Sequence, residues 1–124
     1  MTRMWVGLGA LSALAAVIAG ALGGHQGALP DADARRIFET ANDYHIAHAL
    51  GLILIGALTE KLPGRLIGIA AACLLAGSIL FCGSLYATAF LGQHPLAVTA
   101  PIGGLLLMLG WLTLALAAFL RGKT

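Results

Sequence analysis

Leu66 to Leu120, LIGIAAACLLAGSILFCGSLYATAFLGQHPLAVTAPIGGLLLMLGWLTLALAAFL, is 55 residues without one Asp, Glu, Lys or Arg. As a single α-helix it would measure roughly 80 Å, against a hydrocarbon core about 30 Å thick, so the chain must turn back once inside it. The turn falls at Gly92-Gln93-His94-Pro95, the only polar punctuation in the run, where Gly and Pro favour a reversal. This predicts one span over about 66–91 and another over about 97–120.

Upstream, Met4 to Gly24 is a further 21 residues without a charge, long enough for a span and longer than the roughly 7 to 15 apolar residues of a cleavable signal. Over the whole chain, 60% of the 124 residues are apolar and 10% charged, against roughly 25% charged in a soluble domain. The twelve charges are too few and too clustered to solvate a globular surface, which excludes a soluble enzyme and a separate catalytic domain. A net charge of +2, scattered along the chain, gives no footprint for nucleic acid.

Between Pro30 and Glu60 the uncharged part, Tyr44 to Thr59, is only 16 residues, or roughly 24 Å of helix. However, Asp31 is a good N-cap, Asp33 suits the first turn of a helix, and no Gly or Pro intervenes before Gly51. One helix over about 32–59 is expected. Its first turns are polar, with Arg35, Glu39 and Asp43 in an i, i+4 row, and residues 44–59 span. The expected fold is all-α, a single compact bundle of four transmembrane helices over 1–124. One side of the membrane then carries Arg3, Lys61, Arg65, Arg121 and Lys123, the other only Arg35 and Arg36, which predicts that both termini are cytoplasmic.

His45 and His48 are the residues with most chemical potential, being i, i+3 on the second helix and sharing a face with Phe38, Ala41, Leu52 and Ile55. An ionisable group at membrane depth is costly unless paired and is a functional hypothesis by default. His25, Tyr86 and Thr99 come from the other three spans at similar estimated depth, so a polar cluster of His25, His45, His48, Tyr86 and Thr99 is expected near the outer leaflet. It can act as polar glue between helices or as a ligand site. Glu39 or Asp43 could in principle join three imidazoles around a divalent metal, but only the two i, i+3 histidines are juxtaposed by local geometry, so no metal and no cofactor is expected.

Small residues recur every four positions, as Ala16, Gly20 and Gly24 on the first helix and Gly64, Gly68, Ala72 and Ala76 on the third. With Gly103 and Gly104 on the fourth, these read as helix-packing faces. Thr99 reads as an N-cap, with Pro101 in the first turn. Trp5 fits an interfacial aromatic belt, whereas Trp111 lies inside its span and needs an internal acceptor. Cys73 and Cys82, nine residues apart on one helix, are about 13 Å from each other and cannot bridge.

The series Gly20-Ala-Leu-Gly-Gly-His25, Phe38-Glu-Thr-Ala41 continuing through Tyr44-His45-Ile-Ala-His48, Gly83-Ser-Leu-Tyr86 and Thr99-Ala-Pro-Ile-Gly-Gly104 with Gly110-Trp111 resembles the small membrane proteins classed as domain of unknown function 423. That YgdD-like family also includes transmembrane protein 256. Gly24 stands where similar proteins often show Ala, and Ala100 is inserted between Thr99 and Pro101. The resemblance implies a four-span protein of the bacterial inner membrane, or of an organelle membrane in relatives, and no particular activity. The expected role is non-enzymatic: a binding, assembly or membrane-organising factor whose partners are membrane lipids and a second copy or another membrane protein. The alternatives are a transporter or channel working as an oligomer and a metal-dependent membrane enzyme.

Overall fold

The computed structural model describes residues 2–62, 64–92 and 99–121. Four α-helices follow one another, α1 (Thr2–Gly23), α2 (Ala32–Leu58), α3 (Arg65–Leu91) and α4 (Thr99–Arg121). The expected turn at Gln93-His94-Pro95, a fourth span beginning at Ala97 and the charge of Lys123 lie outside the described residues.

By length and composition α1, α3 and α4 are apolar enough to cross a membrane. Helix α2 falls short because its first three turns are polar. Asp31 caps it, with extended backbone and a carboxylate accepting from the Ala34 N–H at 2.8 Å. Asp33 in the first turn pairs with Arg36 at 2.6 Å, both far out in solvent, where such a pair stabilises little. Helix α3 starts after Gly64 (φ +117°) and stops at Gly92 (φ +82°), left-handed positions that glycine adopts without a steric penalty.

Packing runs in chain order: α1 on α2, α2 on α3 and α3 on α4, while the other pairs touch marginally at most. Helices α2 and α3 therefore form the middle of the molecule, and Leu52, Ile55 and Leu74 are the largest fully buried side chains among the described residues. Ala70 and Ala71 of α3 and Leu107 of α4 complete this core. The outward residues of α1 and α4, among them Leu11, Leu14, Val17, Leu105, Met108 and Phe119, are large, apolar and exposed, as lipid-facing surfaces are. A second apolar cluster sits at the other end of the molecule, where Leu29 folds back from the α1–α2 connection onto Ala34, Phe38 and Ala89.

Trp5 lies in the first turn of α1, at the end of the helix. It is only 7% exposed and packs into the main core, because α1 lies against α2 from its first turns and turns the indole inward.

Candidate functional site

Two strings of hydrogen bonds leave α2 from adjacent turns and run to different neighbours. Positions three apart on a helix differ by about 60° around the axis, enough for the two histidine rings to lean apart. The His45 ring lies between Ser12 of α1, with Nε2 3.1 Å from its Oγ, and Tyr86 of α3, with Nδ1 3.0 Å from its Oη. One turn earlier on the same face, Asn42 Nδ2 donates to the Ala16 carbonyl at 2.8 Å and to the Tyr86 oxygen at 3.1 Å. The Tyr86 oxygen accepts from Asn42, and the neutral His45 ring uses its N–H toward one of the Tyr86 and Ser12 hydroxyls and its lone pair toward the other. Three helices are thereby joined through one asparagine, one tyrosine, one histidine and one serine. Gly20 makes room for this: a Cβ there would lie 3.0 Å from Asn42 Oδ1.

His48 is buried and makes its own pair of contacts. Nδ1 is 2.7 Å from the Tyr44 carbonyl, which can only accept, so Nδ1 carries the proton. Nε2 then offers its lone pair to the Trp111 Nε1–H at 3.0 Å. The Trp111 ring reaches across α4 to α2 because position 51 is glycine, its backbone set against the indole edge so that a Cβ would come within 3.0 Å of the ring. Tyr44 stacks on the His48 ring at 5.7 Å and also meets Phe81 of α3 at 4.9 Å.

The structure thus brings His45 and Tyr86 into direct contact and gives His48 a different partner. His25 does not join them: it is exposed on the turn beyond α1, because the chain leaves the helix at Gly23 before that ring could be directed inward. Thr99 is half-buried and helical, the first described residue of α4. Glu39 and Asp43 point away from the core and are exposed. Among the described residues no three of His, Cys, Asp and Glu stand close enough to hold a metal ion. Two members of the polar network escaped sequence reading. Asn42 carried a signal, lying three residues before His45 on its face; Ser12 carried little, because a helical serine can satisfy itself on its own backbone.

The packing glycines divide in the same way. Gly103 is set against the α3 backbone, where a Cβ would be 2.4 Å from the Phe81 nitrogen, and Gly104 has ordinary contact with the Phe81 ring. Gly24 is no packing residue, since a Cβ there would meet only the Gly20 and Ala21 carbonyls of its own turn. Gly68 is half-buried and borders an open furrow.

Two crevices flank the strings. One of about 230 Å³ is bordered by Ser12, His45, Ser78, Cys82 and Tyr86 and has room for water. The other, of about 340 Å³, lies beside Tyr44, His48, Phe81, Met108 and Trp111.

Apolar helices whose inward polar side chains are uncharged and hydrogen-bond mainly to one another define a small helical membrane protein held by interhelical polar contacts. The chain belongs to the family described as Protein of unknown function (DUF423), whose model matches residues 19–104. It is 35% identical over 119 residues to the UPF0382 membrane protein YwdK of Bacillus subtilis, covering 94% of this chain and 96% of that one. A UPF0382 membrane protein of Staphylococcus epidermidis is 38% identical, with 93% and 94% covered. One from Haemophilus influenzae is 31% identical, with 96% of each chain covered. No solved structure matches the chain.

Proposed function

We propose that the protein is a four-span protein of the bacterial inner membrane, with both termini in the cytoplasm, working as a non-enzymatic binding, assembly or membrane-organising factor. In this reading residues 44–59, the apolar part of α2 with its C-cap Thr59, are the second span, shielded on two sides by α1 and α3, and the polar first turns of α2 stand outside the hydrocarbon. The observation that carries the proposal is the use made of the histidines. Both nitrogens of His45 and both of His48 already face a partner inside the chain. A general base or metal ligand needs a free lone pair directed at its substrate or ion, whereas a residue that fastens helices has its lone pair occupied by a neighbouring helix. Conduction by an oligomer, the alternative, would need a polar path outside this chain's own core, which Leu52, Ile55 and Leu74 fill.

Elemental analysis of the protein purified in native lipid, beside a His48→Ala variant, tests the reading. The expected result is no stoichiometric metal in either sample and a lower thermal midpoint for the variant. About one zinc, copper or iron per chain, lost on substitution, would sink the fastening role and promote a metal centre.

A further inference from the structure

Where α1 begins and α2 ends, the hydroxyls of Thr2 and Thr59 hydrogen-bond to each other, and Thr59 also donates to the Gly56 carbonyl. Beside this tie an open furrow of about 720 Å³ lies between α1 and α3, bordered by Trp5, Thr59, Arg65, Gly68, Ile69 and Ala72. It exists because α1 and α3 both pack on α2 and scarcely on each other, and because α3 presents small residues along this edge. From Arg65 to Ala72 it follows α3 for seven residues, roughly 10 Å, or two turns down from the helix end.

The furrow is apolar in depth and cationic at its mouth. Arg65 stands at the mouth, and Arg3 and Lys61 belong to the same end of the molecule, against the single acid Glu60. The first-turn amides of the 27-residue α3 have no side-chain cap, since Gly64 occupies the capping position. Such amides attract an anion. Independently, the Trp5 indole that forms part of the wall is buried, and its Nε1–H has no hydrogen-bond partner among the described residues. Water or free phosphate would satisfy the mouth and leave the apolar depth unfilled. A helix of a second copy in the same orientation, packed on Gly68 and Ala72 about a two-fold axis, would bring Arg65 against Arg65.

We propose that this furrow binds one anionic glycerophospholipid, its phosphate at Arg65 and the first turn of α3 and one acyl chain laid along Gly68 and Ala72. Charge and shape act on different parts of the same molecule: the mouth selects the phosphate-bearing, anionic headgroup, and the small side chains leave the width of a hydrocarbon chain. The site does not depend on which compartment this end faces, so it stands or falls separately from the topology proposed above.

The full chain, reconstituted in phosphatidylcholine nanodiscs containing phosphatidylglycerol and released into native mass spectrometry, is expected to retain one phosphatidylglycerol in preference to phosphatidylcholine. Arg65→Gln should lower that preference about five-fold, the factor one basic side chain contributes near an anionic surface. Gly68→Leu, or the exposed Ala72→Leu should the first fail to fold, is expected to abolish retention of either lipid. Gly83→Leu, at a position with open space around it, should leave retention unchanged. Equal retention of the two lipids by the unaltered chain, an Arg65→Gln variant that keeps the preference, or a lipid-free dimer cross-linked through Ala72→Cys would each overturn the site.

Discussion

His48 is held to a single neutral tautomer by two partners of opposite character, a carbonyl that can only accept and an indole N–H that can only donate. Nitrogen NMR of the labelled protein in lipid should therefore show one histidine with the proton on Nδ1 and an unprotonated Nε2; finding that proton on Nε2 would show that the Trp111 contact does not form. Trp111→Phe keeps most of the ring and removes the donor, so it should lower stability by about 1 kcal/mol, within the range of interhelical hydrogen bonds in membranes. A double-mutant cycle with His48→Ala should show that the two losses are not additive, because they break the same bond. The need of Trp111 for an internal acceptor was legible from its place within an apolar run. That the acceptor would be His48 was not, since the pairing depends on Gly51 letting the indole pass, and sequence spacing on one helix says nothing about the side chains of another.

The helices themselves were legible because charge punctuates the chain: the uncharged runs and the Asp31 cap mark where helices lie and where α2 begins. Which face packs was harder to read. The four-residue series on α1 picks out Ala16 and Gly20 but also Gly24, while the positions of α1 that are buried include Gly9, Ala16 and Gly23, seven apart. A seven-residue recurrence is the mark of a helix lying against its neighbour along a continuous seam, and it was available in the sequence. On α3 the series Gly64, Gly68, Ala72 and Ala76 faces outward, because the buried face of that helix is occupied by Ile67, Ala70, Ala71, Leu74 and Gly77. Adjacent glycines of α4 supply a clean test of close approach. Gly103→Ala must force a Cβ onto the Phe81 backbone and should destabilise by about 2 kcal/mol, the usual cost of overpacking. Gly104→Ala, with 3.8 Å to the nearest ring atom, should stay within about 0.5 kcal/mol of the parent. Thermal or denaturant unfolding in one detergent measures both, and equal effects would mean that α3 and α4 are not in that register.

For the molecule as a whole, the basic residues set a testable orientation. In a background with Cys73→Ala and Cys82→Ala, a membrane-impermeant thiol reagent applied outside intact cells should modify a cysteine placed at Gln93 and miss one placed after Lys123. The reverse pattern would invert the topology, and labelling of both would remove α2 or another helix from the membrane. The neighbour-to-neighbour packing of the helices also bears on how such a molecule is made. Each helix after the first packs on the segment synthesised just before it, so most of the assembly can keep pace with the ribosome, the His48–Trp111 bond alone waiting for α4 among the contacts described above. This matters most for α2, whose uncharged part is short, carries two histidines close to its start and is preceded by Asn42 and Asp43. In the four-span reading proposed above, α1 is already in place when α2 leaves the translocation channel, with the Ala16 carbonyl and Ser12 hydroxyl set on the face that Asn42 and His45 meet in the folded protein. On that reading a segment too polar to enter lipid by itself is received by the one before it, and contacts that fasten the finished protein first serve as a landing for its least lipophilic helix.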